Sequence, residues 1–516
     1  MRSEMAMQLL RRIKDIMVAL VYACACLFAA AMLAASFVAM SNWVGGLIGF
    51  AVFVISIWCL LEYLSRIGIL RDWRVEVFVI MVLCLSVQLL LIGLLPSMGQ
   101  NGMAAAWDSR AALRAMQAGK VCFTHNVRNQ YWCNYEILLS SLAAVFSQKL
   151  YVGQALNALC CAAVVLPLFR LSERVAGRRV ARFSALLVGF SPVVMLYSTM
   201  LTSEFLSAAL MFYGLFFLCD AICAKDLRPA LLPALLCGGC VGLSHLFKSI
   251  TILFMASLLF VLLVAWLRCP GKANALRLSV LGVAIAVSCS AVRTVGQTSF
   301  ATFVNEPRLL EASDQSSPLL YEFVLGLNVS TDGIYSGDLA AKFVGMDEAH
   351  RKQFAVDMIK RDWRKYPGLM VRKFLNLHGS HLRPGGAVSS FTLSFRDWPL
   401  VKGGRNFTPP WVRPFTDCGT MLFRLVFLLG ALGMFISRKR GLEFCMPGLF
   451  ASLVILGFAV IEQLIEGHGR YKTAVYPFYF MVVPYVCVWF EKDNPLYVRI
   501  ARMVGGIKAR MASHEH

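Results

Sequence analysis

The chain is expected to fold as an all-α polytopic membrane protein, and three observations carry that expectation. Of its 516 residues 58% are apolar and only 15% charged, with a mean hydropathy of +0.66, outside the range of soluble domains. Apolar runs of roughly 17 to 25 residues, each long enough to cross a hydrocarbon core of about 30 Å, recur along most of the sequence. The basic residues fall in alternate loops, as topology signals do.

About twelve transmembrane helices are expected, centred near residues 28, 52, 86, 160, 190, 213, 238, 258, 286, 428, 453 and 481. The first run is longer than a signal-peptide core, and "ASFVAM" leads directly into the next, so it reads as a span and not as a cleaved leader. Arg2, Arg11, Arg12 and Lys14 precede it; Arg66, Arg71 and Arg74 fill the loop before the third span. Arg170, Arg174, Arg178, Arg179 and Arg182 flank the loop between the fourth and fifth. Basic loops face the cytoplasm, and Lys225, Arg228, Arg268, Lys272, Arg277, Arg438, Lys439, Arg440 and the basic tail fall on the same side. That side collects half of the 50 basic residues, so the net charge of +21 follows from topology and implies no nucleic-acid partner. Both termini are then cytoplasmic. The chain divides into two N-terminal spans (1–75), a transmembrane core (76–295) with a first outer loop (97–149), an extracytoplasmic segment (296–417), C-terminal spans (418–490) and a basic cytoplasmic tail (491–516). The extracytoplasmic segment, between the ninth and tenth helices, is expected to be of mixed structure.

Three outer stretches hold ionisable residues. In "WDSRAALRAMQAGK", Trp107 to Lys120, a helical run from Ala111 to Ala118 ends at Gly119. Arg110, Arg114 and Gln117 make a polar stripe opposite Leu113 and Met116, the pattern of a juxtamembrane helix lying flat at the surface. Asp108 opens this helix; it reads as an N-cap or as a carboxylate held at headgroup level. In "SPVVMLYSTMLTSEFL", Pro192 weakens the end of one span, and Thr202, Ser203 and Glu204 open the next. There the plain reading is a Thr202 or Ser203 cap, with Glu204 complementing the positive helix end. In "IEQLIEGHGRYKTAVYPFYF", Glu462, Glu466 and Arg470 recur every four residues, and Gly467 and Gly469 permit a turn. That turn would point His468 and Arg470 into a cavity; the plainer reading is interfacial anchoring by Arg470, Tyr471, Lys472 and Tyr476. Lys248 in "LSHLFKS" and Arg293 also lie near outer span ends, where basic groups snorkel to headgroups or bind an anionic ligand. Most of the 17 cysteines sit in spans and behave as small hydrophobes. Cys122 and Cys133 share the first outer loop, so an oxidising compartment would permit a disulfide between them.

Taken in order, an aspartate in the first large outer loop with a juxtamembrane helix after it, then "P…YS…LTSE" at an outer turn, then "E…RY…P" before the last span, resemble the glycosyltransferase C superfamily. The pattern is similar to its bacterial protein-mannosyltransferase and lipid A aminoarabinose transferase groups, over about residues 76 to 490. The resemblance implies an integral membrane enzyme taking a sugar from a polyprenyl-phosphate donor. It also implies a glycan, lipid or protein acceptor, a plasma-membrane location and a site facing the extracytoplasmic side. Two departures stand out. The family's first loop often has paired acids, whereas Trp107 and Ser109 flank a single Asp108 here, so no obligatory cofactor is expected and a divalent metal stays an open alternative. Two spans precede the family's first one, an even number that preserves sidedness.

On this reading Asp108 is the base for the acceptor hydroxyl, and Glu204 orients the acceptor or holds a nearby cation. Lys248, Arg293 and Arg470, with Tyr471 beside it, receive the lipid phosphate, and attack from the opposite face inverts the anomeric centre. Within the long outer segment, "LGLNVSTDGIYSGDLAAKF", Leu325 to Phe343, crowds the turn residues Asn328, Asp332, Gly333, Ser336 and Gly337, and resembles a loop of bacterial members that belongs to the acceptor side. The helical stretch after it has eight basic residues from Arg351 to Lys373, read as a solvated face or as an interfacial helix. A secondary transporter or flippase of lipid-linked sugars is the competing class. Transporters show internal repeats and ionisable residues near the bilayer midplane. Here the ionisable residues gather at outer span ends beside a long outer segment, which favours the enzyme.

Overall fold

The computed structural model describes residues 2–37, 43–66, 72–94, 130–146, 150–303 (apart from 192–193, 196–197, 199–200 and 249), 318–378 (apart from 334–335), 400–402, 405–407, 412–465 and 474–490. The protein is an all-helical polytopic membrane protein. Eight described stretches are long and apolar enough to cross a bilayer: Met7–Met32, Trp73–Ile92, Tyr151–Ala176, Glu204–Cys223, Leu227–Phe247, Thr251–Arg268, Lys272–Phe303 and Glu443–Leu464. A short antiparallel ribbon pairs β1 (Leu400–Lys402) with β2 (Arg405–Phe407).

The N-terminal helices are α1 (Arg2–Phe37), α2 (Trp43–Arg66) and α3 (Trp73–Leu94). Helix α4 (Gln130–Val145) lies in the first loop, and the span expected near residue 160 is two helices, α5 (Leu150–Ala163) and α6 (Val165–Ala176). The break has a cause: Pro167 has no N–H for the carbonyl of Ala163 four residues earlier, and the Tyr213 hydroxyl donates to that oxygen instead at 3.0 Å. Around residue 190 the structure gives α7 (Arg178–Gly189), about 18 Å long, and helical backbone bonds from Met195 N to Ser191 O and from Ser198 N to Val194 O; the remainder of the expected span lies partly outside the described residues. Helices α8 (Glu204–Cys223), α9 (Leu227–Phe247), α10 (Thr251–Arg268) and α11 (Lys272–Phe303) follow, then α12 (Pro318–Gly326), α13 (Gly337–Val344), α14 (Glu348–Asp362) and α15 (Tyr366–His378). The chain continues through α16 (Val412–Ile436), α17 (Leu442–Leu464) and α18 (Tyr476–Met481) into a 3₁₀ stretch, Val483–Phe490.

Helices α9 and α11 touch backbone to backbone. A Cβ on Gly238 would stand 2.2 Å from the Ile285 carbonyl oxygen and one on Gly242 2.5 Å from that of Cys289, so this small-xxx-small pair is what permits the approach. Arg277 at the start of α11 donates to the carbonyls of Ala221, Ile222 and Ala224, satisfying the open C-terminus of α8.

One end of the bundle is tied by a buried ionic cluster. Arg182 of α7 is 1% exposed and bridges Glu62 of α2 and Glu76 of α3; Arg178 adds a contact to Glu76 at 2.5 Å, and Arg179 one to Glu62 at 3.1 Å. The arginines that flank the loop between the fourth and fifth expected spans are thus partly internal. Buried carboxylates and guanidiniums need such mutual pairing, because each would otherwise lose its hydration uncompensated. Helix α1 is tied by polar bonds as well: the Tyr22 hydroxyl donates to Cys445 O at 2.8 Å, and Arg424 of α16 donates to Met32 O at 3.1 Å.

Between α11 and α16, helices α12 to α15 build their own small core from Val324, Leu327, Phe343, Ala355 and Met358. Of the eight basic residues from Arg351 to Lys373, five are held by partners within the protein or buried, so the stretch is not a purely solvated face. Arg351 donates to Phe343 O, Arg361 and Lys365 bind Asp362, Arg372 binds Asp332, and Lys373 is buried. The Lys365 ammonium, then the Arg361 guanidinium, hold the Asp362 carboxyl below the usual range. At the start of α14 the Asp347 side chain caps the helix by accepting from His350 N at 2.9 Å, and that backbone bond, followed by the His350 ring, lowers its pKa.

Candidate functional site

At the start of α8, Glu204 is 1% exposed and its Oε1 accepts a hydrogen bond from Lys248 Nζ at 2.9 Å. The pair closes a polar floor made where α9 ends. The last carbonyls of a helix lack intrahelical donors and must find them elsewhere. Leu246 O accepts from Asn134 Nδ2 of α4 at 2.8 Å, and Phe247 O accepts from Ser203 Oγ at 2.9 Å. One turn deeper, the Ser207 and Ser244 hydroxyls meet at 2.7 Å, and Ser244 Oγ also donates to Ser207 O at 3.1 Å. Tyr135 of α4 reaches Asn157 of α5 at 3.4 Å, and Phe205 packs on Tyr476 of α18 with ring centres 5.7 Å apart. Four helices, α4, α5, α8 and α9, therefore converge on one charged pair at one end of the bundle.

The plain capping reading of this turn is corrected by the geometry. Ser203 has near-helical torsions (φ −76°, ψ −10°), and its side chain makes no capping bond to α8. Its hydroxyl is spent on Phe247 O, because that carbonyl has no donor within α9. Glu204 does lie in the first turn of α8, where a carboxylate is favoured by the helix dipole, and the Lys248 ammonium neutralises it in its buried setting.

Of the six residues singled out from sequence, the structure brings Glu204 and Lys248 into contact. Arg293 stands exposed on α11, within electrostatic reach of His245, three residues before Lys248. Asp108, Arg470 and Tyr471 lie outside the described residues, as do Cys122, the expected helix over 111–118 and the turn at Gly467 and Gly469. Sequence reasoning missed Asn134, Tyr135, Asn157, Ser207 and Ser244. A usable signal was the four-residue spacing of Ser203 and Ser207, which puts two hydroxyls on one face of an otherwise apolar helix. Among the described residues no group of three His, Cys, Asp or Glu side chains is placed to hold a metal ion.

The site is a set of buried ionisable and hydroxyl groups at one end of a helical membrane bundle, with a polar floor built from helix termini. Residues 135–292, from within α4 to within α11, match the model of the dolichyl-phosphate-mannose-protein mannosyltransferase family. The matched stretch contains Glu204 and Lys248 and stops one residue short of Arg293. No curated protein matches the chain. Among solved structures it is similar to the archaeal oligosaccharyltransferase AglB from Archaeoglobus fulgidus, in complex with an inhibitory peptide and a dolichol-phosphate. That likeness has 13% identity and a TM-score of 0.44, covering 84% of this chain and 54% of that one. ArnT from Cupriavidus metallidurans, bound to undecaprenyl phosphate, matches at 14% identity and a TM-score of 0.31, with 79% of this chain and 77% of that one covered. The chain thus spans about half the length of the archaeal structure it matches.

Proposed function

We propose that the protein is an integral membrane glycosyltransferase that moves a sugar from a polyprenyl-phosphate donor to a cell-surface glycan, lipid or protein, with inversion, on the extracytoplasmic face of the plasma membrane. The observation that supports this most is the coincidence of the family match over residues 135–292 with the buried Glu204–Lys248 pair. In the proposed mechanism the apolar spans cradle the prenyl tail, and the phosphate meets cationic side chains at headgroup depth: Lys248, Arg293 and Arg470, with Tyr471 beside the last. Glu204 fixes the direction of the Lys248 ammonium. Asp108 accepts the proton of the acceptor hydroxyl as that oxygen attacks the anomeric carbon and the lipid phosphate leaves. A monoester phosphate stabilised by ammonium and guanidinium groups needs no metal in this scheme, so chelation is expected to leave turnover intact.

The test is a detergent assay. Purified protein supplied with polyprenyl-phosphate sugars and cell-envelope acceptors is expected to form a glycosidic product with no membrane gradient present. Asp108→Asn, which keeps helix-capping capacity, is expected to lower turnover by about a hundredfold or more while donor binding persists. Substrate movement across sealed vesicles without a new glycosidic bond would reassign the protein to the transporters.

A further inference from the structure

At the end of the bundle opposite the Glu204–Lys248 pair, α10 and α11 leave a groove of about 490 Å³ between them. Helix α10 runs 18 residues, about 27 Å, from Thr251 to Arg268, and α11 returns from Lys272 after a short turn. Leu263 and Trp266 of α10 and Ser279 and Val283 of α11 form the walls. Leu262 and Gly282 form the floor, where a Cβ on Gly282 would stand 3.3 Å from Leu262 Cδ1. Leu263 and Val283 are exposed, and both helices are long and apolar enough to cross a bilayer, so the groove opens toward lipid. In hydrocarbon such a groove does not stay empty, because unfilled space forfeits dispersion contacts along both walls.

Charge selects the occupant. Lys272, Ala275, Ser279 and Gly282 follow at intervals of three and four residues, so they lie along one stripe of α11 that leads into the groove. Lys272 and Ser279 are exposed, about 10 Å apart along the helix axis. Across the turn stands Arg268, whose Nη2 lies 3.9 Å from where a Cβ on Gly441 would be, and Lys14 and Arg440 share with it the surroundings of Cys445. Among the described residues neither Lys272 nor Arg268 makes a salt bridge or a side-chain hydrogen bond. At this end of the bundle Asp15 is taken by Lys14 at 3.0 Å and Asp220 by Arg174 at 2.5 Å. Trp266, within a turn of Arg268, has the amphipathic ring that settles at headgroup level. A cationic rim, then a hydroxyl, then an apolar slot is the order of phosphate, ester and acyl chain in a phospholipid. We propose that the groove binds one anionic phospholipid, with its phosphate on Lys272 and Arg268, its ester region at Ser279 and one acyl chain along Leu263 and Val283. This lipid braces the α10–α11 hairpin, and its site is separate from that of the sugar donor.

The experiment incubates the full-length protein in neutral detergent with equimolar dioleoyl phosphatidylglycerol and dioleoyl phosphatidylcholine, and mass spectrometry counts the lipid retained through a second purification. The wild type is expected to retain phosphatidylglycerol over phosphatidylcholine by about fivefold or more, since each Lys or Arg engaged contributes about that factor. Phosphatidylglycerol is also expected to lengthen the inactivation half-life at a fixed temperature. Arg268→Gln/Lys272→Gln is expected to make retention of the two lipids equal. Val283→Trp fills the groove from an exposed position and keeps both cations; it is expected to lose most of the retained phosphatidylglycerol while its half-life without added lipid stays near that of the wild type. If Val283→Trp does not fold, the double glutamine variant decides alone. Equal retention by the wild type, or a preference that survives the double glutamine variant, overturns the site. Full retention in a folded Val283→Trp variant also overturns it, leaving attraction to surface charge alone. Displacement of phosphatidylglycerol by an equal concentration of undecaprenyl phosphate would assign the groove to a prenyl lipid and overturn the phospholipid site.

Discussion

The Glu204–Lys248 pair offers a double-mutant cycle that separates chemistry from architecture. Lys248→Met removes the ammonium from a carboxylate that is 1% exposed and bonded to it at 2.9 Å. Breaking a buried pair by deleting one partner costs about 3 to 5 kcal/mol, because the remaining charge stays desolvated. The lower end applies here, since the Lys248 side chain keeps 17% of its exposure and the pair is not fully enclosed. Glu204→Gln is milder, about 1 to 2 kcal/mol, as an amide oxygen still accepts from the ammonium. The double variant Glu204→Gln/Lys248→Met has no uncompensated charge, so it should be more stable than Lys248→Met alone, with a coupling energy of about 2 kcal/mol. Stability can be read with a thiol-reactive dye, because Cys160, Cys161, Cys219, Cys237, Cys289 and Cys445 are buried free thiols that become reactive on unfolding. Unfolding of such a protein is irreversible, so inactivation half-lives at one temperature are compared. Turnover is measured alongside. If the pair takes part in transfer, the double variant regains stability but stays about a hundredfold down in turnover. A stable double variant with turnover near that of the wild type would refute the catalytic reading and leave the pair as a structural clip.

Three further outcomes follow from the packing and the charge pattern. Gly242→Val places side-chain atoms where Cys289 O stands 2.5 Å from an added Cβ and should separate α9 from α11, at about 1 to 3 kcal/mol or more; Gly239→Ala, whose Cβ meets only Val292 at 4.0 Å, should be benign in the same half-life measurement. A cysteine placed beside Asp108 should react with an impermeant thiol reagent on intact cells and one beside Arg178 should not; the reverse labelling would put the proposed site on the cytoplasmic side. Asp362 has a depressed pKa, so its contribution to the α14–α15 junction is present above the unfolded-state value of about 3.9 and is lost as pH falls through the lower folded value; hydrogen exchange at 361–366 should rise below about pH 4, and Asp362→Asn should remove that pH dependence.

The sequence made the helical class legible because a bilayer core leaves the backbone few alternatives to the helix, and long apolar runs announce it. The runs near residues 213, 238, 258, 286 and 453 correspond directly to α8, α9, α10, α11 and α17. Near 190 hydropathy registered the apolar length but not that the described helix α7 closes at Gly189, with Phe190 as its C-cap. Glu204 and Lys248 were each visible as ionisable residues at span ends. Their contact was not, for it depends on how α9 ends against α8 across 44 residues of chain. Arg182 and Lys373 were hidden for a different reason: each sits in a run of basic residues, and a count of positive charge cannot tell the one that points inward. Glu62 and Glu76, which would have identified Arg182 as paired, lie more than a hundred residues earlier.

The bonds of α1 to distant helices bear on how the protein is made. Arg424 reaches Met32 across 392 residues and Tyr22 reaches Cys445 across 423, so a helix synthesised early finds its polar partners only when α16 and α17 emerge. At ribosomal speed that interval is on the order of a minute. During it, α1 waits in the lipid with an unfilled flank, open to chaperones and membrane proteases. Substitutions in α16 or α17 that delay docking should therefore reduce the amount of protein in cells well beyond their effect on the purified, assembled molecule, and a coexpressed α16–α17 fragment should rescue part of that loss.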